Sequence, residues 1–579
     1  MCFKGGAIGF MTEKIWNYKN KSHSKSEIKE FSDLNGIPPL AALLLLNRGI
    51  KDQQDVRRYI KKSLDAVNDP FLMNDMQNAA ERIVKALESH EKITVYGDYD
   101  VDGVTSAALL VRFLREHGAD VDYYIPSREK EGYGINVMAI NKISKNGTKL
   151  LITVDCGITS VGEVELAKTL GMDVIVTDHH LCKEKLPSAI AVIDCKRPDS
   201  EYPFPSLAGV GVTFKLVLAL AKMLGERTSE CFFKYVELAA VGTVADVVEL
   251  LDENRVIVEK GLSEMKKSPS VGIKELTSVS GADKRPLTAV SIAFMIAPRI
   301  NAAGRLGDAK KAVELLLTEN EEEARQLAEE LESDNSKRRA LEQQIYEEAL
   351  EMIEKDENFD KKKVIVLAKE GWHHGVIGIV SSRITETFYK PSILISADEK
   401  GRGKGSGRSI DGFNLFEALN NSKDLLTAFG GHAMAAGVSL DIADIDAFSD
   451  KINKYANAHI SERDLIPKLN IDCELSPAAI TLKNAKMLSF MEPFGEANPK
   501  PIFSVSNALI KKISLIGEEQ NHVRMTLEKN GILFNAVGFR MAWIAETKHE
   551  GDFADCAFSL EVNAFRGEEN VQLLLKDVK

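Results

Sequence analysis

The sequence predicts a multidomain α/β protein, in which a domain with a parallel sheet and a second α/β domain are joined by a long helix and followed by an all-β barrel. Between residues 90 and 200, short apolar runs alternate with helical stretches, which is typical of a parallel sheet with helical crossovers. Residues 309–358 contain neither glycine nor proline and are rich in Glu and Ala. The C-terminal segment holds several strand-like runs around an Asn-Gly pair, and 579 residues suffice for about three or four domains.

The composition is that of an ordinary globular protein, with 44% hydrophobic and 28% charged residues. No apolar run approaches the roughly 18 residues of a membrane span, and the N-terminus is a poor signal peptide, so we expect no membrane partner and a cytoplasmic location. Met11 is an alternative start. Seven irregularly spaced cysteines without a Cys-x-x-Cys pair indicate neither a disulfide framework nor a zinc ribbon.

The net charge of −12 argues against nucleic acid only until its distribution is considered. Residues 309–360 hold 17 acidic and 7 basic side chains, whereas residues 361–412 hold 5 acidic and 10 basic ones. Local charge is therefore a better guide than global charge, and a nucleic-acid substrate stays open.

The first α/β region is predicted from its apolar runs. Residues 28–90 have helical spacing, and residues 205–305 are predicted to be mostly helical. Helices such as Thr105–His117 and Ser160–Leu170 separate the buried strands. The predicted strands are Ile93–Tyr96, Leu150–Val154, Val174–Thr177 and Ala189–Ile193.

Apolar residues recur at helical intervals in the acidic segment 309–358, which predicts one long helix. A solvated helix that bridges two domains is the favoured interpretation, and a coiled-coil dimer is the alternative. A second, glycine-rich α/β segment then opens with the strand Val364–Leu367.

The C-terminal segment is predicted to be all-β, with two strands around Asn530-Gly531. A barrel of about five strands fits, which is the size of an oligonucleotide-binding (OB) barrel. The predicted domains are an N-terminal helical region that packs on the catalytic core (1–75), the parallel-sheet domain (76–308), a connecting helix (309–360), the second α/β domain (361–460) and the barrel (465–579).

Acidic side chains follow several of the predicted strands. A single aspartate of this kind is usually a helix cap, but capping does not explain four strand ends that offer Asp or His to one rim. The carboxyl ends of parallel strands form the crevice where open α/β sheets bind ligands. The side chains are Asp98, Asp100 and Asp102 after the first strand, Asp155 after the next, then Asp178-His179-His180, and Asp246 after a further apolar run.

So many carboxylates in one place repel unless cations neutralise them. Oxygen ligands with one imidazole suit Mn²⁺ or Mg²⁺ better than Zn²⁺, and the number of carboxylates suits two ions about 3.5–4 Å apart. Because His179 and His180 are neighbours, one should be a ligand while the other faces substrate or acts on the leaving group. Cys156 should face away from Asp155, as a small core residue.

These motifs resemble those of the DHH phosphoesterase superfamily and, within it, of the RecJ family of single-stranded-DNA-specific 5′→3′ exonucleases. The resemblance covers about residues 30–579. It identifies the three main domains as DHH, DHHA1 and OB-like domains. Besides the acidic motifs, it is carried by Ile125–Arg128 with Glu131–Gly134, by Pro298–Gly307, by Gly405–Ser409 and by Gly430–His432.

The resemblance implies roles for the acidic residues and histidines. Asp100 would hold one ion and Asp102 the other, Asp155 would bridge them, and His179 and Asp246 would complete the ligand set. His180 would lie beside the scissile phosphate and act with Asp155 in catalysis. Asp98 would lie just outside the ligands and support the catalysis. The sequence departs from the family in two places: Tyr96 stands where some relatives have a ligating His, and Asp194 where many have Asn.

An anionic phosphate should attract arginines. Arg408 lies among glycines and serines whose N–H groups could form an anion nest, and Tyr133 could stack on a base. A surface salt bridge is the alternative for each arginine. The resemblance places Ser406, Arg408 and His432 at the terminal 5′ phosphate or a nearby nucleotide. His373-His374 is interpreted as a helix start or as packing residues. The full set expected to bind phosphate or DNA is Arg128, Tyr133, Arg299, Asn301, Arg305, Ser406, Arg408 and His432.

The resemblance implies a two-metal hydrolysis of single-stranded DNA that releases 5′-mononucleotides in DNA repair and recombination, with Mn²⁺ preferred or Mg²⁺. It also implies a monomer, with a RecQ-like helicase and a single-strand-binding protein as candidate partners. Two other functions stay open. One is a phosphodiesterase acting on short oligonucleotides or cyclic dinucleotides, or a pyrophosphatase, whose relatives tend to lack the barrel. The other is a non-catalytic replication scaffold, whose relatives lose metal ligands.

Overall fold

A computed structural model describes residues 14–128, 130–132, 134–565 and 567–579. The predictions for Met11 and Tyr133 therefore lie outside the described residues. Contacts divide the chain into two compact units. The first, here the 54–338 unit, comprises Gln54–Arg338 and Met491–Pro499, and the second, the 339–579 unit, comprises the remaining residues, including those up to Gln53. Within the described ranges, no helix is both long and apolar enough to cross a membrane.

The 54–338 unit contains a sheet of five parallel strands, as predicted. Its central strands are apolar and fully buried, because helices cover both faces of a parallel sheet. The strand Val121–Tyr124 escaped prediction, since it has four residues and an exposed Asp122. In spatial order the strands are Val121–Tyr124, Ile93–Gly97, Leu150–Val154, Asp173–Thr177 and Ala191–Ile193.

This strand order creates a switch point at the carboxyl edge of the sheet. The first crossover leads from Ile93–Gly97 to its neighbour on one side, and the next returns to Leu150–Val154 on the other side. Loops after these two strands therefore diverge and leave a crevice, the usual ligand site of such sheets. The helices of this unit include Met76–Glu88, Val101–Glu116, Val137–Lys145, Val161–Thr169, Gly209–Met223, Thr228–Ala245, Asp252–Lys267, Val271–Ser280 and Ala297–Leu306.

The prediction of one helix over 309–358 is wrong. The segment forms two helices, Lys310–Leu317 and Glu321–Glu354, because Thr318 is extended and Asn320 caps the second helix by accepting the N–H groups of Glu322 and Glu323. The second helix belongs to the 54–338 unit up to Arg338 and to the other unit beyond it. It is not solvated on all sides, since Ala324, Ala328, Leu331, Ile345 and Ala349 are buried.

The 339–579 unit contains a mixed five-stranded sheet. The glycine-rich run 402–408 is a strand in its interior, paired on both edges, so its N–H groups serve the sheet and the predicted anion nest is wrong. A Cβ on Gly405 would lie 2.6 Å from a Val438 methyl group, which shows why this strand needs glycine. In spatial order the strands are Ala428–Gly431, Ala435–Asp441, Arg402–Arg408, Ser392–Ala397 and Ile365–Glu370, with helices His374–Phe388, Leu415–Asn421 and Ile445–His459.

The C-terminal barrel is confirmed. Five strands form a closed barrel because Phe503–Ile516 pairs both with the strand that follows it in the chain and with Phe553–Phe565. Asn530 and Gly531 have φ of 53° and 76°, the left-handed backbone that the predicted tight hairpin requires. Short helices, including Leu482–Met487, precede the barrel, so the segment is not purely β. The remaining barrel strands are His522–Lys529, Ile532–Gly538 and Glu568–Val578.

Residues 1–75 do not form one purely helical region, and the division into units falls within them, after Gln53. The described residues up to Gln53 form the strand Ile15–Tyr18 and the helices Lys25–Asn35 and Pro39–Leu46, and they belong to the 339–579 unit. The strand pairs in parallel with Lys468–Ile471, and the Trp16 indole donates to Asp577 at 2.7 Å. An isolated strand needs such a partner edge, which local spacing does not reveal.

A buried ion pair gives a test of packing in the 54–338 unit. Lys215 and Glu253 are fully buried with an Nζ–Oε2 distance of 2.8 Å, and Glu253 also accepts from Tyr202 at 2.6 Å. Lys215→Met leaves the carboxylate buried and uncompensated, so we expect the free energy of unfolding to fall by about 3–5 kcal/mol in denaturant titrations. Lys222→Met, on the same helix, breaks an exposed pair with Asp69 and should cost less than about 1 kcal/mol. Equal losses would contradict this account.

Candidate metal centre

Three carboxylates and one imidazole meet at the carboxyl edge of the parallel sheet. His179 Nε2 lies 3.2 Å from Asp155 Oδ1, 3.6 Å from Asp246 Oδ2 and 3.8 Å from Asp102 Oδ2. Asp102, Asp155 and His179 are buried, whereas Asp246 is partly exposed. The four residues, here the acidic cluster, therefore converge from separate parts of the chain. The strand-end argument holds for the side chains that follow Ile93–Gly97, Leu150–Val154 and Asp173–Thr177. It is wrong for Asp246, which ends the helix Thr228–Ala245 and follows no strand.

The acidic cluster is held by secondary structure. Asp102 lies in the first turn of helix Val101–Glu116, and its two oxygens accept the N–H groups of Gly209 and Val210 at 2.7 and 2.6 Å. These groups are the N-terminus of helix Gly209–Met223, whose partial positive charge favours a carboxylate. Asp155 directly follows its strand with a φ of 58°, a left-handed backbone uncommon outside glycine and often found at functional sites.

Gly209 is a site residue that sequence reasoning missed. Besides donating to Asp102, it packs so closely that a Cβ would lie 2.5 Å from Asp155 Oδ1. A glycine at the start of an apolar helix was the available signal, but its meaning depends on a contact more than fifty residues away. Gly103 likewise allows a close approach of the backbone, since a Cβ there would lie 2.5 Å from the Asp98 backbone.

Asp178 positions the second histidine. Its Oδ1 lies 2.7 Å from His180 Nδ1 and accepts the N–H groups of His179 and His180, while Oδ2 accepts the Ile158 N–H. His180 is partly exposed, with Nδ1 4.0 Å from Asp155 Oδ1. The two neighbouring histidines thus divide: His179 points into the acidic cluster and His180 lies at its rim.

The electrostatics of the site express the crowding of negative charge. Burial and the neighbouring aspartates raise the pKa of the Asp102 and Asp155 carboxyls well above the usual range, and they raise the pKa of Asp246 to about 7. Burial lowers the pKa of His179 to about 3. Burial also opposes a charged His180, but the bond to Asp178 and its charge outweigh it and raise the His180 pKa.

The donor set fits divalent cations. Neither ring nitrogen of His179 has a hydrogen-bond partner among the described residues, and Nε2 faces three carboxylates. Carboxylate oxygens with one neutral imidazole are ligands that Mn²⁺ and Mg²⁺ accept. Two groups of donor atoms each lie within 4.8 Å of one another: Asp102, His179 and Asp246, and Asp155, His179 and His180.

The other predicted acidic residues lie around this cluster. Asp100 caps helix Val101–Glu116 by accepting the Gly103 N–H at 3.1 Å, and it belongs to neither group of donors. Asp98 is buried, and burial and the Asp100 charge raise its pKa well above the usual range.

The two departures from the family motifs are both buried. Tyr96 donates to the Gly134 carbonyl at 2.9 Å and belongs to the same apolar cluster as Cys156, which is a buried core residue as expected. Asp194 accepts the Lys196 N–H at 2.7 Å, and burial raises its pKa to about 7.

Three predicted nucleic-acid residues lie near the first strand ends or on helix Ala297–Leu306. The Arg128 guanidinium lies 5.3 Å from the centre of the ring of Tyr99, the residue between Asp98 and Asp100. The motif Pro298–Gly307 needs a glycine at position 304, since a Cβ there would lie 2.4 Å from the Tyr99 carbonyl oxygen. Asn301 and Arg305 are partly exposed on the same helix.

Arg299 is engaged by the protein itself. It is buried, its Nε lies 2.5 Å from Glu332 Oε2, and it donates to the Met295 carbonyl. A salt bridge, the alternative considered for this arginine, is thus present, although it is buried and does not lie at the surface.

The remaining predicted residues belong to the 339–579 unit. Arg408 donates to Ser406 Oγ at 3.1 Å and to the Gly407 carbonyl at 2.8 Å, while Gly378 leaves room beside both side chains. His432 is exposed in the turn between two strands. His373 caps helix His374–Phe388 by accepting the Gly375 N–H, which confirms the interpretation as a helix start.

Family models match three parts of the chain. The N-terminal domain of the DHH family matches residues 92–243, the DHHA1 domain matches residues 361–458 and the RecJ OB domain matches residues 471–577. The single-stranded-DNA-specific exonuclease RecJ of Salmonella typhimurium is 36% identical over 558 residues, which are 94% of this chain and 96% of that protein. The chain belongs to the RecJ family.

Further RecJ proteins support this membership. The single-stranded-DNA-specific exonuclease RecJ of Bacillus subtilis is 40% identical over 563 residues, 97% of this chain and 70% of that protein. The crystal structure of RecJ from Thermus thermophilus in complex with Mn²⁺ aligns with a TM-score of 0.83 at 31% identity, covering 98% of this chain and 80% of that one. A second structure of that RecJ is a complex with Mg²⁺. The resemblance inferred from the motifs is confirmed.

Gly209 gives a backbone test of the centre. Gly209→Ala places a methyl group against Asp155, so we expect Mn²⁺ affinity, measured by calorimetry, to fall at least ~10-fold. Gly162→Ala is the matched control, because Gly162 also lies in a first helical turn but a Cβ there meets nothing within 4 Å. Unchanged affinity in the Gly209 variant, or equal loss in both, would contradict the proposed packing.

The raised carboxyl pKa values predict how the metal-free protein responds to pH. The pKa of Asp246 is about 7 in the folded state and about 3.8 in the unfolded state. In the presence of a chelator, the free energy of unfolding should therefore rise as the pH falls from about 8 to about 6. One such group contributes up to about 1.4 kcal/mol per pH unit in denaturant titrations. Asp246→Asn should reduce the slope without abolishing it, because Asp194 titrates in the same range. An unchanged slope would argue against a buried, crowded Asp246.

Saturating Mn²⁺ should reverse this dependence of stability on pH, since metal binding releases protons.

Proposed function

We propose that this protein is a metal-dependent exonuclease that digests single-stranded DNA from the 5′ end and releases 5′-mononucleotides. The observation that carries the proposal is the acidic cluster around His179, in a chain whose RecJ relatives match it over nearly its whole length. The relatives are named as single-stranded-DNA-specific exonucleases, and two solved RecJ structures hold Mn²⁺ or Mg²⁺.

The acidic cluster would hold two divalent cations, Mn²⁺ by preference or Mg²⁺. Asp102, Asp155, His179 and Asp246 supply ligand atoms, and Asp100 joins them by a side-chain movement from its capping position. Bound cations of this kind lower the pKa of a water molecule and stabilise the charge of a phosphodiester under attack.

The remaining side chains would bind and orient the phosphate. The bond from Asp178 keeps the proton of His180 on Nδ1 and directs the other nitrogen of the exposed ring toward substrate. His180 is thereby a candidate to contact the scissile phosphate and to give a proton to the leaving oxygen. Asp98 precedes Asp100 by two residues and is proposed to support its position. Arg128, whose guanidinium lies against the Tyr99 ring, adds a positive charge.

Other parts of the chain would bind the rest of the strand. Ser406, Arg408 and His432 are proposed to take the terminal 5′ phosphate, with Asn301, Arg305 and Tyr133 contacting nearby nucleotides. Because Arg299 is buried against Glu332, we propose for it the support of its helix in addition to any contact with DNA. The OB barrel is proposed to bind further nucleotides, since stacking on such barrels tolerates any sequence. A role in DNA repair and recombination, a RecQ-like helicase and a single-strand-binding protein as partners, and a monomer complete the proposal.

The test is digestion of a single-stranded oligonucleotide in Mn²⁺, labelled at either end, beside the same sequence as a duplex. We expect early release of 5′-labelled mononucleotide from the single strand only. Asp155→Ala should lower the rate ~100-fold or more, because it removes the carboxylate that lies 3.2 Å from the imidazole shared by both donor groups. Asp122→Ala is the matched control, since that exposed carboxylate pairs with Lys92 away from the cluster.

The outcomes separate the alternatives. Early release of the 3′ label would contradict the polarity alone. Intact long strands with cleavage of dinucleotides, cyclic dinucleotides or pyrophosphate would contradict the substrate while keeping the metal centre. DNA binding without any cleavage in wild type would favour a scaffold.

A further inference from the structure

A cavity of about 280 Å³ lies in the 54–338 unit, next to Tyr99 and apart from the residues of the acidic cluster. The loop after strand Val121–Tyr124, helix Val137–Lys145 and the start of helix Lys310–Leu317 form its walls. Four cationic side chains line it, which are Arg128, Lys130, Lys142 and Lys310.

Two of these cations are fixed by aromatic rings of the cavity wall. The Arg128 guanidinium lies 5.3 Å from the centre of the Tyr99 ring, and Lys142 Nζ lies 5.3 Å from the centre of the Tyr124 ring. Such contacts are worth about 0.5–1 kcal/mol at exposed sites, enough to favour these side-chain positions over others. The rings thus hold two positive charges at the cavity.

Two carboxylates also line the cavity, and both accept hydrogen bonds from residues of its wall. Glu131 accepts from the Tyr124 hydroxyl at 2.7 Å and from the Ser127 N–H at 2.8 Å, and Asp308 accepts the Lys310 N–H at 3.0 Å. Among the described residues, none of the four cations lies within 4.0 Å of a carboxylate oxygen. The wall therefore has four cations against two carboxylates, and this excess of positive charge favours an anion in the cavity.

We propose that this cavity binds a nucleoside 5′-monophosphate, with the phosphate among the cations and the nucleoside against Ile125, Pro126 and the tyrosine rings. The choice of ligand rests on the proposed function, because digestion from a strand end releases this class of product. The volume is near the lower end of small-molecule sites, about 300 Å³, so the cavity suits one nucleotide and exceeds the needs of inorganic phosphate. A product held here makes the protein sensitive to product concentration.

The experiment is a calorimetric titration of the full chain with thymidine 5′-monophosphate in chelator, beside thymidine and inorganic phosphate. We expect the monophosphate to bind, and thymidine and phosphate to bind at least ~10-fold more weakly. Combined Lys142→Gln and Lys310→Gln should raise the dissociation constant at least ~10-fold, since each lysine supplies a charge-assisted contact. Lys142→Arg with native Lys310 should retain binding because the charge is kept.

Lys145→Gln is the matched control, since Lys145 ends the same helix as Lys142, is exposed and does not line the cavity. Binding that ignores the lysine pair, or that disappears in Asp155→Ala, would place the nucleotide at the acidic cluster and overturn the proposal. Equal affinity for inorganic phosphate would overturn the nucleotide assignment. Because the titration involves no turnover, its failure is distinct from a failure of the protein to digest DNA.

Discussion

Carboxylates buried within a few ångströms of one another repel, and the 54–338 unit is arranged around this repulsion. Asp102 is partly compensated by the two N–H groups that begin helix Gly209–Met223, and Asp178 by three N–H groups and His180. Asp155 is kept in place by a left-handed backbone and by a glycine packed against it. These contacts leave a negative centre whose remaining charge is neutralised by protons or by metal cations, so metal binding and proton release are coupled.

The same sheet edge places opposite charges side by side. Asp98 and Asp100 flank Tyr99, whose ring lies against Arg128 and whose carbonyl lies against Gly304. Tyr99 therefore lines the basic cavity and is flanked in sequence by two aspartates that lie around the acidic cluster. A phosphate chemistry needs both, because the cations act on the scissile bond while the basic side chains bind the anionic parts of substrate and product.

The acidic cluster is the part of the site that sequence reasoning predicts best. Asp102, Asp155 and His179 meet as expected, since parallel strands bring their carboxyl ends to one edge. Asp246 joins them from the end of the helix Thr228–Ala245, where a strand end was predicted. The roles of the arginines are harder to predict from sequence. Arg299 forms a buried ion pair with Glu332, and the backbone N–H groups of the strand that holds Arg408 bond to neighbouring strands of the sheet. Whether a cation is free for a ligand depends on the distant carboxylates that fold against it, and no local motif contains that information.

The amino-acid sequence was enough for the α/β class, the parallel sheet, the Asn530-Gly531 hairpin and the residues of the acidic cluster, because apolar periodicity, turn residues and strand ends are local properties. Long-range contacts decided the rest. The pairing of Ile15–Tyr18 with Lys468–Ile471, the closure of the barrel and the contact of Gly209 with Asp155 join residues far apart in the chain. Such contacts form only when several elements bury their apolar faces together, so their partners are fixed by the packed core rather than by neighbours in sequence.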